Sequence, residues 1–149
     1  LAYTGLADTY GASATNGWIS PREAFPKGKV AVKQALEIDD SLAEAHASAG
    51  ALAMFYELDW ATAEREYKRA IELNPNYPIS YELYSYLLLA TGKLDEGLKM
   101  AQRSLEVDPQ SVALIDDVAG AYYLARRYDE AIREIQKSME MDHHYTQRR

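Results

Sequence analysis

One spacing constrains this chain more than its composition does. The phrases IELNP, LEVDP and MEMDH recur every 34 residues and place Pro75, Pro109 and His143 in step. Small residues keep the same step: Ala51, Ser85 and Ala119; Ala63, Gly97 and Ala131; Ala70, Ser104 and Ser138. Bulkier residues stand between them, with Met54, Leu88 and Tyr122 at one place and Tyr67, Ala101 and Ile135 at another. A fixed period of this size marks stacked supersecondary units, none of which buries its apolar face alone. Small side chains at matching places let two helices approach closely, and large ones fill the space alongside.

The N-terminal stretch carries a degenerate copy. Tyr3, Leu6, Ala7 and Tyr10 fall at i, i+3, i+4 and i+7, one face of a helix. The partner helix reads KVAVKQALEID, with Gly28, Val32 and Ala35 in the small, bulky and small places. From Tyr10 to Gly28 is 18 residues, whereas the equivalent gap is 9 in the other copies. The additional residues lie in GASATNGWISPREAFPKGK and are expected to form a loop insertion. Within it Ser20-Pro21-Arg22-Glu23 reads as a helix start, and Pro26 is expected to kink that turn or to separate it from the main helix. Trp18, Ile19 and Phe25 are large apolar groups in this stretch. They either fold back onto the first helix pair or form a lip for a partner.

Helix boundaries elsewhere are marked by capping residues. Ser41-Leu42-Ala43-Glu44 has the form of a capping box, and the helix it opens is expected to run to about Glu57. Asp59 is expected to cap the next helix, which ends at Asn74-Pro75. Pro78 suits the first turn of the following helix, and Gly92 its end. LDEGLKMAQRSLEV, SVALIDDVAGAYYLA and YDEAIREIQKSMEM read as the remaining helices.

The pattern aromatic-x2-Leu-small-x2-Tyr, then Ala-x3-Phe, then Pro at this period resembles the tetratricopeptide repeat. The resemblance covers nearly the whole chain, with repeats at approximately 1–43 (with the insertion), 44–77, 78–111 and 112–145. It implies a single all-α domain over 1–149, a right-handed α-α superhelix of about four antiparallel helix pairs. It also implies that first helices line a concave groove. Carried over place by place, that lining is Thr4, Asp8, Ser48, Leu52, Phe55, Tyr56, Glu82, Tyr86, Leu89, Asp116, Gly120 and Tyr123. The best-known family members hold a C-terminal carboxylate with Lys, Asn and Arg in the groove. Those places here hold Ala45, Ser48, Ala49, Leu52, Glu82, Leu83, Ala113 and Asp117, so that clamp is absent. PREAFPKGKVAVKQALEIDDSLAEAHAS and DWATAEREYKRAIELNPNY are further similar to repeat blocks appended to bacterial regulators, such as winged-helix transcription factors, kinases and cyclases.

Composition narrows the function. Hydrophobic residues make up 48% of 149, enough for a continuous core. A net charge of −7 argues against nucleic acid and against an anionic membrane surface. No apolar run reaches the ~18 residues of a membrane span, the start shows no signal-peptide pattern, and a cytoplasmic location is expected. The absence of cysteine removes disulfides, thiol catalysis and thiolate zinc sites. Leu1 stands directly inside a helical pattern, so the chain is expected to be a piece of a longer or processed protein.

The search for reaction chemistry returns little. Adjacent His143 and His144 point to different sides of a helix, His46 is distant in sequence, and a structural role suits all three. Glu82, Asp116 and Asp117 have no accompanying His, Lys or metal set for acid–base work, and read as solvated or groove-lining charge. No phosphate loop or nucleophile elbow is present. Tyr81, Tyr84 and Tyr122 fill core places of the repeat, whereas Tyr86 and Tyr123 do not. The expectation is a binding module rather than an enzyme, with no cofactor and no metal. Asp8, Glu82 and Asp116, and after them Asp117, beside Phe55, Tyr56, Tyr86 and Tyr123 suit a basic, partly apolar peptide or helix. The other reading is a self-associating or regulatory segment, with Ile132, Ile135 and Met139 as an exposed C-terminal face open to a homo-oligomer.

Overall fold

The 34-residue period reappears in the backbone. In the computed structural model Leu58, Gly92 and Arg126 have φ of 56°, 80° and 61°, all in the left-handed region and all one period apart. Each follows the first helix of a repeat. A left-handed residue there turns the chain so that the last helical carbonyls find partners. The Lys93 amide donates to Leu88 O at 2.9 Å and the Arg127 amide to Tyr122 O at 2.9 Å. The Asp59 amide reaches Ala53 O, also at 2.9 Å. That bond spans one residue more because Ala53–Glu57 is wound as a π-helix. Gly92, read as a helix end, is the one residue of the three suited by type to this conformation.

The backbone is described for residues 1–146 and side chains for 1–141. The helices are α1 (Ala2–Thr15), α2 (Pro21–Ile38), α3 (Ala43–Leu52, continued by the π-helical turn), α4 (Trp60–Leu73), α5 (Pro78–Ala90), α6 (Leu94–Val107), α7 (Val112–Leu124) and α8 (Tyr128–Thr146). No strand occurs among the described residues, so the all-α class expected from the sequence is the one observed. Contacts divide the chain into two compact units, Leu1–Ser80 and Tyr81–Arg149.

In the first unit α1 packs along α2, and α3 along α4. Ala7, Ala31 and Val32 form a core with Leu36, Ala49 and Leu52 against it. Tyr67 of α4 is fully buried, and its hydroxyl lies 3.7 Å from Met54 Sδ. Room for this ring comes from Gly50, where a Cβ would stand 2.5 Å from Tyr67 Cε1. One period on, the sizes are exchanged between the two helices: Tyr84 takes the place of Gly50 and Ala101 that of Tyr67, and both are buried.

The second unit is built on Leu98, Ala101, Val118 and Ala121, with Leu89, Leu105 and Tyr122 packed against them. A Cβ on Gly97 would meet Leu89 Cγ at 2.7 Å, and the buried Ser85 hydroxyl donates to Gly97 O at 2.9 Å. Ala63, Ala70, Ser104, Ala119, Ala131 and Ser138 are buried as the small places require.

Three local expectations are corrected. The additional residues of the first repeat are not a loop: α1 runs on to Thr15 and α2 begins at Pro21, leaving five residues between them. Burial of Ser13 and Ala14 holds the extended end of α1 in place. Pro26 does not divide α2, which runs unbroken from Pro21 to Ile38. It is exposed, and in the second turn its missing N–H removes a single bond, to the carbonyl of Arg22. Ser41 does not cap α3. Its amide and hydroxyl bind Asp39 Oδ1 at 2.9 and 2.6 Å, which closes a turn and leaves Leu42 as the N-cap residue. Asp59 caps α4 as expected, accepting from the Thr62 amide at 3.0 Å.

Denaturant unfolding of four variants probes these packing and backbone constraints. Arg126→Gly is expected to stabilise the fold by about 0.5–1 kcal/mol in denaturant unfolding, and Gly92→Ala to destabilise it by about 1–2 kcal/mol, because a Cβ in the left-handed region costs that much. Gly50→Ala, despite the better helix propensity of alanine, is expected to destabilise by about 1–3 kcal/mol through overpacking against Tyr67. Gly50→Tyr combined with Tyr67→Ala, the size pattern found one period later, is expected to cost less than the two single changes summed.

Candidate interaction surface

The carried-over groove places separate into two groups, one in each unit. In the first unit Ser48 Oγ lies 2.6 Å from Asp8 Oδ1 and 2.9 Å from Glu44 O, which ties α3 to α1. Burial and the nearby Glu44 carboxylate raise the Asp8 carboxyl above its ordinary value, against the lowering effect of the Ser48 hydrogen bond. Phe55 and Tyr56 are exposed. Tyr56 is stacked on Phe25, with ring centroids 4.8 Å apart. Phe25 therefore sits on α2 rather than in a loop, while Trp18 stands out in solvent at 78% exposure. Leu52 packs against the first core, and Thr4 is buried with its hydroxyl 2.6 Å from Leu1 O. His46 lies 2.7 Å from Glu66 and 2.9 Å from the Asp40 carbonyl, a tie within the unit.

In the second unit the Tyr86 hydroxyl lies 3.0 Å from Glu82 Oε1 and 2.8 Å from Asp117 Oδ1. A hydroxyl has one proton to donate, so it serves one carboxylate at a time. The other contact is fully satisfied only when that second carboxyl is itself protonated. Burial raises both carboxyls above their ordinary values. Asp117 adds to the effect on Glu82, and Asp116 to that on Asp117, while the Tyr86 hydroxyl opposes both shifts. Burial and the two carboxylates in turn push the Tyr86 phenol far upward. Asp117 is thus the partner of Glu82. Asp116, its neighbour in sequence, is exposed and lines a second feature, an apolar groove of about 530 Å³ between α7 and α8. Gly120 and Tyr123 line the same groove, and Tyr123 lies 5.6 Å from the ring of Tyr128. Leu89 is committed to the core against Gly97. Sequence reasoning ranked Asp116 above Asp117. The two positions differ by one helical step, 100° around α7, and only the presence of Tyr86 distinguishes them.

Known proteins resemble this chain in sequence and in fold. Residues 66–99 match the tetratricopeptide repeat. That match is one period long. The tetratricopeptide-repeat reading is supported further by relatives. The chain is 30% identical over 84 residues to "Small glutamine-rich tetratricopeptide repeat-containing protein 2" of Mycosarcoma maydis, covering 56% of this chain and 24% of that one. It is 31% identical over 88 residues to "Hsp70-Hsp90 organizing protein 2" of Arabidopsis thaliana, covering 59% and 15%. The chain spans about a quarter or less of these curated relatives. The fold matches the solved structure of YrrB, a TPR protein with an unusual peptide-binding site, with a TM-score of 0.68 at 21% identity over 94% of this chain and 67% of that one. Among the described residues no helix is long and apolar enough to cross a membrane, and no group of three or more His, Cys, Asp or Glu is placed to hold a metal. The His143 and His144 side chains lie outside the described residues.

The raised carboxyls fix the sign of a pH effect. An acid whose folded pKa exceeds its unfolded value contributes stability that is present at low pH and lost as pH rises through the folded pKa. Glu82→Gln is therefore expected to gain stability relative to the parent at neutral pH. That gain should shrink as pH falls towards the ordinary carboxylate pKa of about 4. Denaturant unfolding across pH checks it, and a difference that does not vary with pH contradicts the shift.

Proposed function

We propose that this chain is a protein-interaction scaffold rather than an enzyme, and that it binds a Lys- or Arg-containing, partly apolar peptide or helix. The observation that carries this is the Glu82–Tyr86–Asp117 cluster, in which two half-buried carboxylates share one hydroxyl proton. Each carboxylate retains lone pairs that a guanidinium or ammonium can fill, and the cation relieves the cost of holding both charges together. The first unit holds the Asp8 carboxyl, tied to Ser48, and elsewhere on its surface the exposed rings of Phe55 and Tyr56. Aromatic faces beside carboxylates favour a cation twice, through charge and through the ring quadrupole.

The tetratricopeptide-repeat relatives support a binding role, and one carries the name Hsp70-Hsp90 organizing protein. The clamp places of this chain nevertheless hold Ser48, Glu82 and Asp117. Glu82 and Asp117 repel a carboxylate, so the proposed ligand has the opposite sign to that of the clamp. A larger bacterial regulator in the cytoplasm, of the kind whose repeat blocks the sequence resembles, would supply the basic segment from its own chain.

Titration of matched basic and acidic peptides, followed by fluorescence anisotropy, tests the reading. The basic peptide is expected to bind, and to bind more weakly at high salt. Its affinity should also fall as pH is lowered through the raised carboxyl pKa values, since protonation removes the charges it needs. Glu82→Lys with Asp117→Lys is expected to weaken binding by at least tenfold, about 1.4 kcal/mol. Tighter binding of acidic peptides, or no effect of the double reversal, overturns the proposal.

A further inference from the structure

The apolar groove between α7 and α8 has an internal precedent. On α6, Leu98, Ala101 and Leu105 are covered by Val118, Ala121 and Tyr122 of α7. One period later the same places on α8 are Ile132, Ile135 and Met139. These are 56%, 43% and 61% exposed, and no described residue covers them. The interface already formed by α6 thus shows what the α8 face accepts: a helix presenting an aliphatic residue and, four residues on, a tyrosine.

Among the described residues, α1 is such a helix with its face uncovered. By the repeat register Leu6 and Tyr10 of α1 occupy the places of Val118 and Tyr122. Val118 is 2% exposed, whereas Leu6 is 42% exposed. Leu6 and Tyr10 line a groove of about 380 Å³ with Val30 and Lys27 of α2, and Val30 is 58% exposed. Lys27, ion-paired with Glu23 at 2.8 Å, stands on the rim of this groove, and Asp116 on the rim of the one beside α8. Two uncovered faces whose residue patterns match those of an interface already formed inside the chain are what a head-to-tail contact between copies requires.

We infer that this chain self-associates head to tail, with the α1 face of one copy seated in the α7–α8 groove of the next. The contact joins two different patches, so two copies held by one such contact still leave one face of each kind free for a further copy. It extends into short chains that lengthen with concentration. The contact does not use Glu82 or Asp117, so it stands apart from the proposed peptide site.

Sedimentation velocity over a wide concentration range tests the inference. The average mass of the parent chain is expected to rise with concentration past that of a dimer. Leu6→Asp removes the α1 face, and Ile132→Asp with Ile135→Asp removes the α8 face. All three positions are exposed, and circular dichroism verifies that each variant keeps its helices. Each variant alone is expected to be monomeric, while an equimolar mixture forms one-to-one dimers, because one intact face of each kind remains. Val30→Glu and Met139→Glu form a second pair with the same expectation. A parent chain that stays monomeric assigns the groove to some other occupant and overturns the inference. A Leu6→Asp variant that still dimerises overturns it too, since the α8 faces then pair with each other. A mixture that remains monomeric does the same.

Discussion

Close approach of helices at fixed crossings is the constraint from which the rest of this structure follows. A large side chain on one helix needs a missing one on the other, because interiors are packed too densely to hold both. Tyr67 needs Gly50, and Leu89 needs Gly97. The chain meets this requirement without conserving residue types from repeat to repeat. The ring lies on the second helix at Tyr67 and on the first helix at Tyr84. What persists across these two crossings is a single ring at each and the step between them. Helices thus positioned carry Tyr86 to Asp117, and they leave Ile132 and Ile135 uncovered.

Much of this was legible in the sequence, because the signal was a spacing and was sampled several times. Helix pairs, the small places and the cap at Asp59 all followed from it. Residue type misled where a competing local bond was available. Ser41 had the form of a cap, but Asp39 lies two residues away and captures its hydroxyl. Glycine and proline in GASATNGWISPREAFPKGK suggested a loop, yet α1 and α2 pack along each other through most of that stretch, and tertiary contact outweighed local preference. The left-handed Leu58 and Arg126 carry no hint in their side chains. Stepping one period either way from Gly92 finds both.

The candidate surface was less legible because it depends on direction rather than pattern. Period and family place fix which helix face a residue occupies, to within one step. Whether Asp116 or Asp117 meets Glu82 is decided by the Tyr86 hydroxyl, which selects the carboxylate within its reach. Leu52 and Leu89 illustrate the opposite failure. Their places suggested a lining, but cores lacking bulk nearby, at Gly28 and Gly97, draw them inward.

The lengthened first hairpin has a consequence for how this architecture can change. Seven residues of α2 precede Gly28, whereas three of α4 precede Ala63. α1 likewise runs five residues past Tyr10, where the helical chain after Met54 runs three. The additional length lies at the far end of the hairpin, beyond the crossings that set the step, and it displaces none of them. The connecting turn, with Trp18 at its exposed tip, is therefore an open margin of the fold. Lineages can write new recognition there without renegotiating the contacts that hold the repeats together.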